Sequence, residues 1–149
     1  MSASGEDGSE ASAILGGIWE VIESVMNDSA PALEALGLSP KAYFLLDVVG
    51  DHPFPAELAR RTHLPPPTVT YLIKQLEAKD FLERRAEPGD LRKFRLVVTA
   101  PGEEALRRGR EALGIAMGGR LRRLGPDEIC ALGRIVRRLA GRGDEGDPK

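Results

Sequence analysis

The segment Pro67, Thr68, Thr70, Tyr71, Lys74 and Gln75, and a little further on Asp90, Arg92, Lys93 and Arg95, gather the chain's most suggestive chemistry. Hydroxyls, a phenol, an ammonium, a carboxamide and guanidinium groups are the donors that phosphate oxygens and base edges accept. The same chain offers no Ser/His/Asp or Cys/His constellation beside an expected pocket, no phosphate-cradling glycine loop after a strand, and no zinc-ligand spacing. We therefore expect neither an enzyme nor a cofactor or metal site. His52 and His63 fall at helix ends, where a histidine satisfies carbonyls or the helix dipole.

These residues sit in a chain of 149 residues, 42% hydrophobic, with a net charge of −2. That is the size of one soluble domain. The absence of an apolar run of about 20 residues, together with a polar and acidic start, argues against a membrane anchor or secretory signal, so the cytoplasm is expected. Cys130 has no partner for an internal disulfide and reads as a packed structural thiol rather than a redox sensor, with an intersubunit disulfide left open. A pI of about 5.8 argues against nucleic acid only if the charge is uniform. It is not: residues 1–37 hold seven acids and no Lys or Arg, residues 38–125 hold 16 basic against 11 acidic side chains, and residues 126–149 hold five of each. An acidic arm and a separate basic surface follow.

Hydrophobic periodicity places the elements. Residues 1–10 and the tail 141–149 read as disordered. Ile14, Leu15, Ile18, Trp19, Ile22, Val25 and Met26 recur at helical spacing, and Asn27–Asp28 is expected to break that helix before a short one opens at Ser29 and Pro31. Ser39–Pro40 is an N-cap followed by a first-turn proline, and His52–Pro53 closes the helix it starts. A short helix from Pro55 to about Thr62 and an extended turn at His63–Pro65 lead to a helix from Pro66 or Pro67 to about Lys79. Its inner arc is Val69, Leu72, Ile73 and Leu76; Pro67, Tyr71 and Lys74 point the other way, flanked by Thr70 and Gln75. The period then changes to two over Phe81–Arg85 and Arg92–Thr99, joined by a Glu87–Asp90 turn of type II composition. A long helix from Pro101 to about Leu124 and a last one from Asp127 to about Ala140 complete the chain.

The order helix, turn, helix, hairpin predicts a mainly α fold with a small β wing, a winged helix-turn-helix in which the second helix enters the major groove of double-stranded DNA. The hairpin segment 84–99 has a net charge of +3. Asp90 and Arg92, two apart in extended chain, lie on one side, so the carboxylate is expected to aim the guanidinium toward a minor groove, unless the two form a plain surface ion pair. Apolar stripes on the helices at both chain ends predict a homodimer. The domain reading is thus 11–37 and 101–140 as dimerisation helices around a DNA-binding region at 38–100.

On these residues the chain resembles the MarR-type transcriptional regulators over about residues 10–140. Leu38-Ser39-Pro40 with Phe44, Glu57-Leu58-Ala59, Thr68-Val69-Thr70 with Leu72, Leu76-Glu77 and Lys79, the spacing Asp90-x-Arg92 then Thr99 and Gly102, and Leu124-Gly125-Pro126-Asp127-Glu128 are similar to that family's pattern. The resemblance implies a dimeric repressor, less often an activator, that binds a near-palindromic operator and is released by a small ligand or oxidant. Pro67 stands where the family often has serine, Tyr71 where arginine is common, and Asp80 where glycine usually closes the recognition helix. Trp19 and Tyr43 are candidates for an effector pocket, with core or interface packing as the other reading. The rival function is a winged-helix module that binds protein rather than DNA, which the acidic balance and the altered recognition face motivate.

Overall fold

The computed structural model describes residues 3–141, with side chains from Gly8 onward. Its elements run α1 (Ala3–Ala35), α2 (Pro40–Val49), α3 (Pro55–Thr62), α4 (Pro66–Ala78), β1 (Leu82–Glu87), β2 (Asp90–Val98), α5 (Ala100–Leu121) and α6 (Pro126–Leu139). This is the mainly helical winged helix-turn-helix expected from the sequence, with β1 and β2 pairing antiparallel as the wing. Two compact units divide the chain, Met1–Gly114 and Ile115–Lys149.

The core of the first unit is built from the end of α1, α2, α3, α4, the wing and the start of α5. Leu33, Leu38, Leu45, Leu46 and Leu58 are fully buried, as are Val69, Leu76 and Leu96, each side chain contributing about 1.5–3 kcal/mol relative to exposure. Local chemistry starts and stops these helices where the sequence says it should. Ser39 Oγ accepts from the Ala42 N–H at 3.1 Å with Pro40 in the first turn of α2. Asp80 takes a left-handed φ of 59° beyond the end of α4, in the place expected of a glycine. His63 is also left-handed, φ 55°, where a wholly extended turn was expected: it is the C-cap of α3, and the sharp turn brings the chain to Leu64 and Pro65 within one residue.

The N-terminal helix differs from expectation. It begins at Ala3 rather than after residue 10, and it runs unbroken through Asn27, Asp28 and Pro31 to Ala35. Once a helix is nucleated, each added residue costs little, so the polar opening extends the turns that follow it. Through the proline the reason is tertiary. Val25, Ser29 and Leu33, at i, i+4 and i+8, form one buried stripe, while Pro31 sits on the exposed side. The Ser29 hydroxyl, buried within that stripe, donates to the Val25 carbonyl at 2.7 Å. Burial of the stripe offsets the roughly 3 kcal/mol that an interior proline costs.

The second unit carries the last turns of α5, a break at Gly125, and α6. There the Gly125 N–H donates to Glu128 Oε2 at 2.8 Å, one arm of a capping box. No residue of α6 is buried; Ile129, Ile135, Val136 and Leu139 are exposed on it. Cys130, expected to be packed, is exposed on the same helix, because α6 has no core of its own to pack against within this unit. Apart from Gly141, the tail expected to be disordered lies outside the described residues. Among those described, no helix is long and apolar enough to cross a membrane.

Candidate nucleic-acid interface

Helix α4 separates its two faces as its sequence requires. Val69, Leu72, Ile73 and Leu76 are buried, while Pro67, Thr70, Tyr71, Lys74 and Gln75 are exposed and Thr68 is half-buried. The exposed donors are not equally free. Thr70 Oγ1 donates back to the Pro66 carbonyl at 3.1 Å, which occupies its proton within the helix. Gln75 Nε2 donates to the Tyr71 hydroxyl at 2.8 Å, so these two side chains act as one unit four residues apart. Lys74 forms no ion pair among the described residues.

The wing sorts its cations by strand parity. Leu82, Arg84 and Ala86 pair with Val98, Leu96 and Phe94, so Arg84 lies on the side of the sheet that meets the core. Its guanidinium sits 4.5 Å from the centroid of the Phe94 ring and is ion-paired with Glu77 of α4. Arg85 is held by Glu83, Nε to Oε1 at 2.7 Å. Both arginines are therefore committed within the protein. Arg92, Lys93 and Arg95 are exposed and form no ion pair among the described residues, so they are the wing's available cations. The clamp formed by Arg84 was open to sequence reasoning: an arginine in phase with Leu82 must find a partner on the inner face.

Asp90 does something other than aim the Arg92 guanidinium. Its Oδ1 accepts from the Arg92 backbone N–H at 3.0 Å, while Gly89 takes φ 89° in the preceding turn. The ladder steps from Ala86↔Phe94 directly to Glu87↔Asp90, so Leu91, Arg92 and Lys93 bulge out of the strand. An irregularity of this kind re-aims side chains, and Leu91, 96% exposed, stands at the bulge.

Thr99 and Gly102 lock the wing to α4 and α5. Thr99 Oγ1 accepts from the Gly102 N–H at 3.1 Å, capping α5, and donates to the Asp80 carbonyl; the Thr99 N–H reaches the Phe81 carbonyl at 3.1 Å. Gly102 lies so close to the residue that precedes β1 that an added Cβ would stand 2.3 Å from the Phe81 oxygen. On the other flank, Leu96 N–H donates to the Pro53 carbonyl at 2.8 Å, and Lys79 Nζ to the Gly37 carbonyl.

The two effector candidates are in different settings. Tyr43 is buried, edge-on to Phe44 with ring centroids 5.2 Å apart, and its ring leaves no room for a side chain at position 109. Burial pushes its phenol above the usual value, and Asp47 adds to the shift, while Arg110 opposes it. Trp19 is exposed on α1. Neither lines the cleft of about 320 Å³ between Gly37–Ala42 and Gln75–Lys79, nor the cleft of about 530 Å³ between the wing and Val49–Pro53. His52 Nδ1 lies 2.8 Å from Glu57 Oε1, tying the end of α2 to α3 rather than capping a carbonyl. Among the described residues no group of three or more His, Cys, Asp or Glu could hold a metal.

Residues 36–93 match a family model described as the MarR family. In structure the chain is similar to a crystal structure of MarR, with TM-score 0.75 and 25% identity over 86% of this chain and 95% of that one. It is similar also to a Mycobacterium tuberculosis MarR family protein in complex with p-aminosalicylic acid (TM-score 0.69, 22% identity, 83% of this chain and 95% of that one). A mutant MarR from E. coli complexed with operator DNA gives TM-score 0.70 at 17% identity, over 87% of this chain and 95% of that one. No curated protein sequence matches the chain.

Proposed function

Because residues 36–93 match a model of the MarR family and the chain folds as a winged helix-turn-helix, we propose that it is a regulator of that type, which controls transcription by binding a near-palindromic operator as a homodimer, acting as a repressor that a small ligand releases. In this reading α4 enters the major groove, presenting Pro67, Thr68, Thr70, Tyr71, Lys74 and Gln75, and Asp90, Arg92, Lys93 and Arg95 of the wing follow the backbone into the adjacent minor groove. The observation that carries it is the division of the cations: Arg84 and Arg85 are paired internally, while Lys74, Arg92, Lys93 and Arg95 are exposed and form no ion pair among the described residues. The similar E. coli structure in complex with operator DNA supports this placement, and the similar M. tuberculosis protein in complex with p-aminosalicylic acid supports an effector of small-acid type. The acidic side chains of residues 1–37 bring the net charge to −2, which limits non-specific DNA binding and makes affinity depend on the site.

The experiment is a salt titration of binding to DNA from beside the protein's own gene. Affinity should fall linearly on a log–log scale, with a slope of about −0.9 per phosphate contacted. The exposed Leu91 at the bulge of the wing favours a second reading, a module that binds protein. That reading gives weak DNA binding with no enriched sequence, and such a result would displace the first.

A further inference from the structure

Gln75 and Tyr71 are joined by a hydrogen bond of 2.8 Å on the exposed face of α4, with Tyr71 60% exposed. The direction of that bond decides what each group has left. A glutamine amide carries two N–H donors and one carbonyl acceptor. With one N–H given to the phenol oxygen, Gln75 keeps one donor and one acceptor side by side. That is the pattern adenine presents in complement along its major-groove edge, where N7 accepts and N6 donates. The phenol, accepting from Gln75, keeps its own proton to donate outward. Neither aromatic bulk nor charge supplies this; it depends on the pairing.

Position along the helix agrees. Helix side chains lean toward the N-terminus, so Gln75 is drawn back over Tyr71, toward the end of α4 that reaches deepest into a groove. Freezing the amide against the ring removes rotamer freedom before binding, lowering the ordering cost at the moment of recognition. Thr70, whose proton is given to the Pro66 carbonyl, does not compete for the same edge as a donor.

We propose that Gln75 reads one adenine in each half-site through its free N–H and carbonyl, and that Tyr71 is the positioning residue that fixes the amide's orientation while its hydroxyl donates to a neighbouring phosphate, a contact that carries no sequence information. The proposal rests on the DNA-binding reading above and adds to it a named base and the two residues that set it.

The test is selection of random duplex DNA by the purified full chain and by Gln75→Ala and Tyr71→Phe, with sequencing of the bound pools and thermal denaturation of each protein. The wild-type pool should be enriched in a palindrome with an A·T pair, adenine on a fixed strand, at one position of each half-site. Gln75→Ala should lose the preference at that position alone, discriminating about tenfold less against the other bases, with the rest of the palindrome retained. Tyr71→Phe keeps the ring and should relax the same position and no other, which a merely structural role would not do. If Gln75→Ala or Tyr71→Phe selects the wild-type base with undiminished preference at every position, the readout is overturned while operator binding stands. If the wild-type pool shows no enriched site, both fall together.

Discussion

The carboxylate of Asp90 holds the backbone N–H of Arg92 at 3.0 Å, and the guanidinium of Arg92 is left without an ion pair among the described residues. An aspartate two residues before an arginine therefore shapes the chain from which the arginine projects, rather than neutralising the guanidinium. The two functions separate on substitution. Asp90→Asn retains an acceptor oxygen and should bind operator DNA at near wild-type affinity; Asp90→Ala loses a hydrogen bond worth about 0.5–1.5 kcal/mol and should bind several-fold more weakly. Fluorescence anisotropy on one operator duplex measures both. Equal losses in the two variants would mean that a carboxylate–guanidinium pair matters after all.

Removing the cations themselves should act on the salt dependence. Arg92→Ala and Lys74→Ala should each lower affinity across all duplex sequences and reduce the slope of log affinity against log salt by about 0.9. Arg84→Ala should behave differently, because Arg84 is spent on Phe94 and Glu77. Its slope should be unchanged, with the loss appearing as reduced thermal stability instead. Anisotropy titrations at several salt concentrations distinguish the two patterns.

The close approach of Gly102 to Phe81 gives a stability prediction with a built-in contrast. At position 102 an added methyl would meet the Phe81 carbonyl oxygen at 2.3 Å and the Val98 side chain at 2.8 Å, and the backbone oxygen cannot rotate away. Gly102→Ala should destabilise by about 1–3 kcal/mol, lowering the melting temperature by several degrees. Gly114→Ala, on the same helix but with nothing within 4 Å of the new methyl, should stabilise by about 0.4–1 kcal/mol through the unfolded chain. Scanning calorimetry at one protein concentration decides the signs.

These contrasts also indicate where sequence reasoning reaches and where it stops. Helices α2 to α4 were legible because the Ser39 cap, the first-turn prolines and the buried set Val69, Leu72, Ile73 and Leu76 all agree, so local and tertiary preferences point the same way. The continuity of α1 was not. Asn27, Asp28 and Pro31 are breakers by local chemistry, and only the buried stripe Val25–Ser29–Leu33, visible in three dimensions, overrides them. In the candidate interface, residue types announced donors but not their commitments. That Thr70 bonds to Pro66, that Gln75 bonds to Tyr71 and that Asp90 bonds to a backbone N–H are choices among several partners, and the sequence does not rank them.

Tyr43 predicts an alkaline limb of stability. Its phenol, raised chiefly by burial and further by Asp47, keeps its proton in the folded protein at pH values where the unfolded chain has lost it. The folded state then binds more protons, so stability falls as pH rises. The contribution is fully present below pH 10, the unfolded value, and is lost as pH climbs from there through the higher folded value. Tyr43→Phe should flatten that limb while leaving the dependence below pH 9 unchanged, as measured by urea unfolding between about pH 8 and pH 11. A limb of unchanged steepness in the variant would place the titrating group elsewhere.

The apolar faces of α1 and α6 give the last prediction, on assembly. Ile14, Leu15, Ile18, Trp19 and Ile22 are exposed along α1, and Ile129, Ile135, Val136 and Leu139 along α6, each set more than a single soluble chain ordinarily leaves uncovered. A second copy covering them would bury side chains that a charge cannot accompany unpaired. Wild-type protein at micromolar concentration should therefore sediment at twice the mass of the 16.1 kDa chain, and Ile135→Glu should shift it toward the single chain and weaken operator binding in parallel. On an open surface the same substitution would change stability by no more than about 0.5 kcal/mol and leave sedimentation as it was. Sedimentation velocity of the two proteins, beside anisotropy on a palindromic and a half-site duplex, separates these outcomes: a wild-type chain that runs as a monomer would end the dimeric operator model, whatever its affinity for DNA.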